Sequence, residues 1–170
     1  MKKLFLTLLF SLNFAFANPL EFNTLSSDFT QTVTSDGSSI KYSGNFITTK
    51  ELAFWHYSTP NLKDIYFSKT RVVSIEPDLE QAILTKLDQI PNLTAVLQSA
   101  KKEKDGSYSA KFDDITYKIE LENNLISKIS YKDKLDNDIE IKLNNVKKDE
   151  PIDESKLEPI IPKGYDIITQ

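Results

Sequence analysis

The feature that most constrains the fold is a series of short strand-like runs between residues 29 and 84. Turn residues separate these runs at positions 35–38, 58–61 and 76–78, where Gly, Pro, Ser, Asn and Asp are concentrated. The intervals are too short to hold helices, so a parallel sheet with helical crossovers is not expected. The pattern instead predicts a meander-like antiparallel sheet or barrel.

The periodicity of apolar residues defines the individual elements. Strands are expected at about residues 29–33, 40–48, 52–57, 65–67, 73–75, 79–84, 107–112, 115–121, 125–131 and 139–146. Gly44 lies inside a strand, where a glycine marks a bend, a bulge or a close backbone approach. After Pro91 the apolar period becomes three to four, which predicts a short amphipathic helix with Asn92 as its N-cap. A second helical or irregular piece is expected at residues 153–157.

The first seventeen residues have the pattern of a secretory signal peptide. Lys2 and Lys3 precede an apolar segment that ends in the small-x-small sequence Ala15-Phe16-Ala17. This segment is shorter than the about 20 apolar residues that a membrane-spanning helix needs. We therefore expect cleavage after residue 17, export out of the cytoplasm, and one domain over residues 18–170.

Charge and cysteine content exclude several classes of function. The chain has a formal net charge of −4, which becomes more negative when Lys2 and Lys3 leave with the signal peptide. Nucleic acids recruit clustered Lys and Arg, so no nucleic-acid partner is expected. The chain contains no cysteine, so disulfides, thiol catalysis and Cys-based metal sites are excluded.

The sequence offers little catalytic chemistry. His56 is the only histidine, and on a strand it alternates onto the face opposite Trp55 and Tyr57. A structural histidine explains it better than a catalytic one, because a triad needs a nucleophile and an acid converging on the ring. Asp113 and Asp114 fall in a predicted turn, which explains them better than a glycosidase pair does. We therefore predict no catalytic residues, no metal site and no cofactor, and hence not an enzyme.

An apolar face of the sheet is the main candidate for function. Its predicted members are Phe29, Phe46, Trp55, Ile65, Phe67, Val73 and Ile75. These residues could form an ordinary core beneath a helix, because most aromatic stripes are core. They could also line a cavity for an acyl chain, if the face is wider than the helices that cover it. The pattern alone favours the core.

Two groups of residues resemble a known family. In the first part of the chain they are Phe29, Thr30, Gln31, Val33, Gly44, Leu52, Phe54, Trp55, His56, Tyr57, Pro60, Ile65, Phe67, Ser68, Pro77, Glu80, Gln81 and Ala82. Near the end they are Asp153, Lys156, Leu157, Pro162, Gly164, Ile167 and Ile168. In this order they resemble the LolA family of periplasmic carriers of outer-membrane lipoproteins.

The resemblance implies an incomplete antiparallel β-barrel, mainly β (α+β), whose concave apolar face is covered by short helices and binds acyl chains. Leu93, Val96 and Leu97 would form the apolar side of this lid. The family usually has an Arg-Pro pair before the Trp strand, and its Arg helps to hold the lid shut. Here residues 49–51 read Thr-Lys-Glu, which makes Lys50 a candidate latch, although an exposed turn lysine is an equal alternative.

The resemblance also implies partners. These are acylated lipoproteins, an inner-membrane lipoprotein-releasing ABC transporter, and an outer-membrane lipoprotein receptor or the outer membrane itself. The carrier would act as a monomer. The alternative function is a periplasmic lipid- or lipoprotein-sensing module built on the same half-barrel.

Overall fold

The structure is a computed structural model that describes residues 18–86 and 93–170. The predicted signal peptide and the predicted N-cap Asn92 lie outside these residues. Twelve strands in one sheet account for most of the described chain. They are β1 Leu25–Ser35, β2 Ser38–Thr48, β3 Ala53–Thr59, β4 Lys63–Phe67, β5 Arg71–Glu76, β6 Gln81–Lys86, β7 Lys101–Lys102, β8 Tyr108–Phe112, β9 Ile115–Glu122, β10 Leu125–Lys132, β11 Asp138–Lys148 and β12 Asp166–Thr169.

Helical structure in the described residues is sparse. One α-helix, α1, runs from Leu93 to Gln98, and short 3₁₀ turns occupy Pro77–Leu79 and Glu154–Leu157. In the second turn, the Asp153 carboxylate accepts a hydrogen bond from the Ser155 backbone N–H. The predicted helix after Pro91 and the predicted helical piece at 153–157 are therefore confirmed.

The sheet consists of two antiparallel meanders joined at β1 and β11. Its strand order is β12-β6-β5-β4-β3-β2-β1-β11-β10-β9-β8-β7. All pairings are antiparallel except that of β12 with β6, which is parallel. No ladder between described strands joins β12 to β7, so the sheet stays open, as predicted for an incomplete barrel.

The tight hairpins explain why Asp, Asn and Gly separate the strands. Asp36 and Gly37 have φ values of 48° and 78° between β1 and β2. Asp113 and Asp114 have φ values of 45° and 62° between β8 and β9. Such left-handed pairs belong to the two-residue turns that match the twist of antiparallel strands, and Asp, Asn and Gly tolerate them best. The prediction that the Asp113-Asp114 pair forms a turn is confirmed.

Gly44 marks a close backbone approach, as predicted. The register between β2 and β3 shifts at Ser43 and Gly44. A Cβ atom at Gly44 would lie 1.8 Å from the carbonyl oxygen of His56. Because that neighbour is backbone, no side-chain rotation could relieve the clash, so only glycine fits here.

The sheet buries apolar side chains on both faces. The inner face, defined as the face that carries Phe29 and is covered by α1, holds a large cluster. Its buried members include Leu20 and Phe22 from the irregular segment before β1, and Ile119, Ile129 and Ile141 from the C-terminal meander. The outer face holds a small cluster of Val73, Ile75 and Ala82, against which Tyr66, Leu84, Ile161 and Tyr165 pack.

Candidate functional site

A hollow of about 360 Å³ opens on the inner face and draws its lining from both meanders. Its size falls within the range of about 300–1,000 Å³ that is usual for ligand pockets. The lining residues are Gln31, Thr48, Glu51, Leu52, Ala53, Trp55, Tyr57, Ile65, Phe67, Ser68, Lys69, Tyr117, Ile129, Tyr131 and Ile141. Most of this surface is apolar, with polar groups at its two ends.

Trp55 lines the hollow, on the same face of the sheet as Phe29 and Phe46. Its ring stacks on Phe46, with the centroids 4.6 Å apart and the planes 15° apart. The centroid of the Phe29 ring lies 5.0 Å from the ring centroids of both Trp55 and Tyr57. Phe29 and Phe46 are buried, at 2% and 1% exposure, and are not lining residues. They support Trp55 from within the inner-face cluster, whereas Trp55, Ile65 and Phe67 meet the hollow directly.

Val73 and Ile75 do not lie on this face, which corrects the prediction that placed them there. Val73 pairs with Tyr66, and Val72 pairs with Phe67. Since directly paired residues share a face, Val72 belongs to the inner face and Val73 to the outer face. A one-residue difference in register moves every side chain of a strand to the other face, and the hairpin between β4 and β5 sets that register.

The helix α1 occupies the inner face beside the hollow. Val96 and Leu97 are buried in the inner-face cluster, but neither lines the hollow. Leu93 begins α1, and its side chain is outside the described part of the structure. The helix therefore fills one end of the inner face, next to the hollow.

Buried hydroxyl groups attach α1 to the end of β2. The Thr94 hydroxyl donates to the Thr49 carbonyl oxygen at 2.9 Å and lies 3.2 Å from the Thr48 hydroxyl. Thr48, Thr49 and Thr94 are all buried. The Gln98 amide donates to the Phe22 carbonyl oxygen at 2.8 Å and so ties the far end of the helix to the N-terminal segment. Sequence analysis missed these contacts, because threonines have no distinctive spacing.

Lys50, the candidate latch, is exposed in the loop between β2 and β3. It borders a more polar hollow with Phe22, Gln98 and Lys148, close to the N-terminal segment and the end of α1. The attachment of α1 described above involves the carbonyl oxygen of the preceding residue, Thr49. The role of Lys50 as a latch stays a prediction.

The C-terminal meander supplies four of the fifteen lining residues that the structure describes, and sequence analysis did not assign it to the site. Tyr117, Ile129, Tyr131 and Ile141 come from β9, β10 and β11. The alternation of Ile129 with Tyr131 and of Tyr117 with Ile119 was visible in the sequence. Nothing local, however, showed that this face would meet Trp55, because the two meanders join only through the pairing of β1 with β11.

The two ends of the hollow differ in their polar chemistry. At one end the Lys69 ammonium bonds the Glu51 carboxylate at 2.6 Å, and both groups are exposed. At the other end the Tyr57 hydroxyl donates to the Gln31 side-chain oxygen at 3.1 Å. Burial is the main cause that raises the pKa of Tyr57 and of Tyr131 to about 12. Neighbouring tyrosines add to the rise for both residues, and Asp133 adds to it for Tyr131. Both phenols are therefore neutral hydrogen-bond donors at physiological pH.

His56 lies on the outer face, as predicted, and bonds a carboxylate. Its Nδ1 is 2.6 Å from an Asp64 carboxylate oxygen, across the β3–β4 ladder. Within residues 18–86 and 93–170, no group of three His, Cys, Asp or Glu side chains is placed to hold a metal ion. No helix in that part of the chain is long and apolar enough to cross a membrane.

An open antiparallel sheet with an apolar hollow on one face, beside a short helix, defines a protein of the half-barrel class. Sequence comparison assigns the family. The model of the family described as outer membrane lipoprotein carrier protein LolA matches residues 21–158. The chain belongs to the LolA family.

Individual relatives agree with this assignment. The chain is 44% identical to an outer-membrane lipoprotein carrier protein from Campylobacter jejuni, over 99% of both chains. It is 32% identical to a protein of the same name from Helicobacter hepaticus, over 85% of this chain and 83% of that one. A solved LolA superfamily protein from Nitrosomonas europaea has a TM-score of 0.56 at 9% identity, covering 84% of this chain and 94% of that one. At this low identity the structural likeness supports the fold alone.

Proposed function

We propose that the chain is a periplasmic carrier that holds the acyl chains of lipoproteins in the hollow on the inner face and delivers them to the outer membrane. The observation that carries this proposal is the apolar hollow lined by Trp55, Ile65, Phe67, Ile129 and Ile141, in a member of the LolA family. The name that the relatives share, outer-membrane lipoprotein carrier protein, supports the same cargo.

The energetics of hydrocarbon explain why such a hollow suits a carrier. Each exposed methylene costs about 0.8 kcal/mol, so one long acyl chain carries on the order of 10 kcal/mol of unfavourable exposure. Apolar contact is not directional, so one surface can hold acyl chains from many lipoproteins. The polar parts of each cargo protein would stay outside the hollow.

Movement of α1 provides a route for loading and release. The hollow is too small to shelter several acyl chains, and α1 covers the adjacent part of the inner face with Val96 and Leu97. When α1 lifts, acyl chains replace it against the cluster. The loaded open form then exposes little more apolar surface than the empty closed form, so the cargo can also leave.

The proposal includes partners on both sides of the periplasm. An inner-membrane ABC transporter that releases lipoproteins would load the carrier. A receptor in the outer membrane, or the membrane itself, would receive the cargo. The predicted signal peptide at residues 1–17 would export the chain to this compartment.

Neighbouring residues of β3 provide a matched test. Trp55 lines the hollow, whereas Phe54 lies on the outer face, where it stacks on Tyr66 with centroids 4.7 Å apart. We expect Trp55→Ser to weaken binding of a triacylated lipoprotein by about 10–100-fold, because it removes about 1.5–3 kcal/mol of apolar contact. Phe54→Ser should change binding by less than about twofold.

The measurement is recovery of acylated lipoprotein on the tagged carrier, with the same lipoprotein lacking acyl chains as the background. Urea unfolding of both variants confirms that each is folded at the assay temperature. Equal losses in the two variants would contradict the placement of cargo in the hollow. Recovery of the non-acylated lipoprotein as efficiently as the acylated form would contradict the carrier proposal itself.

A further inference from the structure

The end of the hollow that lies toward the β1–β2 turn is rich in tyrosine. Tyr57, Tyr117 and Tyr131 line it together with Gln31. The strand register fixes its position, because Tyr131 pairs with Ile139, which in turn pairs with Val33 near the end of β1. The other end contains Thr48 and Ala53, which pair with each other where β2 ends and β3 begins. The apolar middle of the hollow thus separates a tyrosine end from an end with an ion pair.

The hydroxyl groups at the tyrosine end have bonding capacity to spare. Tyr57 already donates to Gln31, but the hydroxyls of Tyr117 and Tyr131 make no hydrogen bond to any other residue that the structure describes. The two rings pack against each other with centroids 4.8 Å apart. Burial also raises the pKa of Tyr117, and the negative charge of Asp113 raises it further. Each hydroxyl therefore stays protonated and can donate to an acceptor in the hollow.

The charges nearby indicate that this acceptor is uncharged. Among the lining residues that the structure describes, Lys69 is the one cation, and it lies at the opposite end, bonded to Glu51. Lys134 is near Tyr117, but its ammonium is bound to Asp113 at 2.6 Å. Lys63 pairs with Tyr57 across the β3–β4 ladder, but its ammonium is bound to Glu76 at 2.7 Å. A free carboxylate at the tyrosine end would lose water without gaining a cation, which costs much more than the burial of a carbonyl group.

We propose that Tyr117 and Tyr131 donate hydrogen bonds to the carbonyl oxygens of the esters that join acyl chains to the glyceryl group of a lipoprotein, and so make the hollow prefer acyl esters to free fatty acids. This inference rests on the proposed function, because it assigns a polar subsite to the same hollow. The acyl chains extend from the tyrosine end past Trp55 toward Phe67. The glyceryl group then lies at the tyrosine end, and the polypeptide leaves the hollow there.

The test pairs a deleted hydroxyl with a deleted carbonyl. The ligands are a synthetic triacylated lipopeptide and its analogue in which the two glyceryl esters are replaced by ethers of equal length. The variants are Tyr117→Phe and Tyr131→Phe, which keep the ring and remove only the hydroxyl. Tyr66→Phe, on the outer face, is the control, and binding is measured by calorimetry or by displacement of a fluorescent lipid.

Each cavity variant should bind the ester lipopeptide about 2–10-fold more weakly than the unaltered protein, as expected for one hydrogen bond. The same variants should bind the ether analogue as well as the unaltered protein does, and Tyr66→Phe should change neither affinity. Equal weakening for ester and ether would overturn the inference, since it would mean that the hydroxyls only support the fold. Unchanged ester binding in both cavity variants would overturn it as well.

Two further ligands separate this inference from the function on which it rests. If the unaltered protein binds neither lipopeptide, the proposed function fails. If it binds palmitate more tightly than the ester lipopeptide, the ester preference fails while the hollow remains a lipid site. A diacyl phospholipid tests whether the ester belongs to a lipoprotein or to a membrane lipid. If the phospholipid binds through the same hydroxyls but more weakly than the lipopeptide, the lipoprotein assignment is supported. If it binds more strongly, that assignment is overturned.

Discussion

The two faces of one sheet contrast in how they use apolar side chains. On the outer face, a small cluster consists of Val73, Ile75 and Ala82. The segment that contains Ile161 and Tyr165 packs against this cluster and covers it. On the inner face, a much larger cluster still leaves a hollow of about 360 Å³ beside α1. The same alternation of apolar residues therefore gives a packed core where a covering segment fits, and a hollow where the cover is too short.

The largest expected effect is on the support of the inner face. Phe29→Ala removes a ring that contacts both Trp55 and Tyr57 and is 2% exposed. We expect the free energy of unfolding to fall by about 3–5 kcal/mol, because a cavity forms beneath the lining. Urea denaturation measures this. A loss below about 1 kcal/mol would show that the inner face is loosely packed even away from the hollow.

The outer face should affect stability without affecting cargo. Ile75→Ala truncates a side chain that is 4% exposed and should cost about 2–5 kcal/mol of unfolding free energy. Lipoprotein binding, measured well below the melting temperature, should stay unchanged because Ile75 faces away from the hollow. Val72→Ala, one residue away on the inner face, provides the comparison. Weaker cargo binding by folded Ile75→Ala would remove the functional distinction between the two faces.

A smaller effect is expected where α1 is attached. Thr94→Val keeps the shape of the side chain and removes the hydroxyl that donates to the Thr49 carbonyl oxygen. The Thr48 hydroxyl, 3.1 Å from the same oxygen, can still donate to it, so losing the Thr94 hydrogen bond should cost about 0.5–1.5 kcal/mol, much of it by favouring detachment of α1. Binding of an environment-sensitive dye should then rise in the empty protein. Thr94→Ser keeps the hydroxyl and should behave like the unaltered chain. A similar dye response from both variants would show that the attachment of α1 does not depend on this hydroxyl.

The smallest effect concerns an ion pair on the inner face, where β4 begins and β5 ends. The hydrogen bond from the Lys63 ammonium lowers the pKa of Glu76 below its ordinary value of 4.5, with a further contribution from Gln81. A lowered folded-state pKa adds stability above pH 4.5 that is lost as the pH falls through the folded-state pKa. Glu76→Gln should therefore cost less than about 1 kcal/mol at pH 7 and nothing near pH 2. Thermal melts at both pH values test this, and a difference that persists in acid would point to lost packing.

Sequence reasoning recovered most strands because their signals are local. The alternation of residues and the turn pairs at Asp36-Gly37 and Asp113-Asp114 act over a few positions. Two strands were not predicted. β7 is only the charged pair Lys101–Lys102, and β12 joins β6 in parallel across more than eighty residues of chain. Pairings of this kind depend on a distant partner, which the local pattern does not specify.

The candidate site was predicted in part for the same reason. Trp55, Ile65 and Phe67 were correctly placed on the face with the hollow, because β3 and β4 pair directly. Val73 and Ile75 were assigned to the wrong face, because the register of one hairpin decides the face of the whole following strand. The tyrosines of the C-terminal meander were missed because their proximity to Trp55 depends on the entire sheet.

The pairing of β1 with β11 has a consequence for the newly made chain. These strands are separated by most of the sequence, and contacts of such long range form slowly. A partly folded chain with only its first meander possesses Trp55 but lacks the opposite wall that Tyr131 and Ile129 provide. The ability to take up lipid should therefore arise at the final stage of folding, when β11 pairs with β1. Partly folded molecules should not compete for cargo.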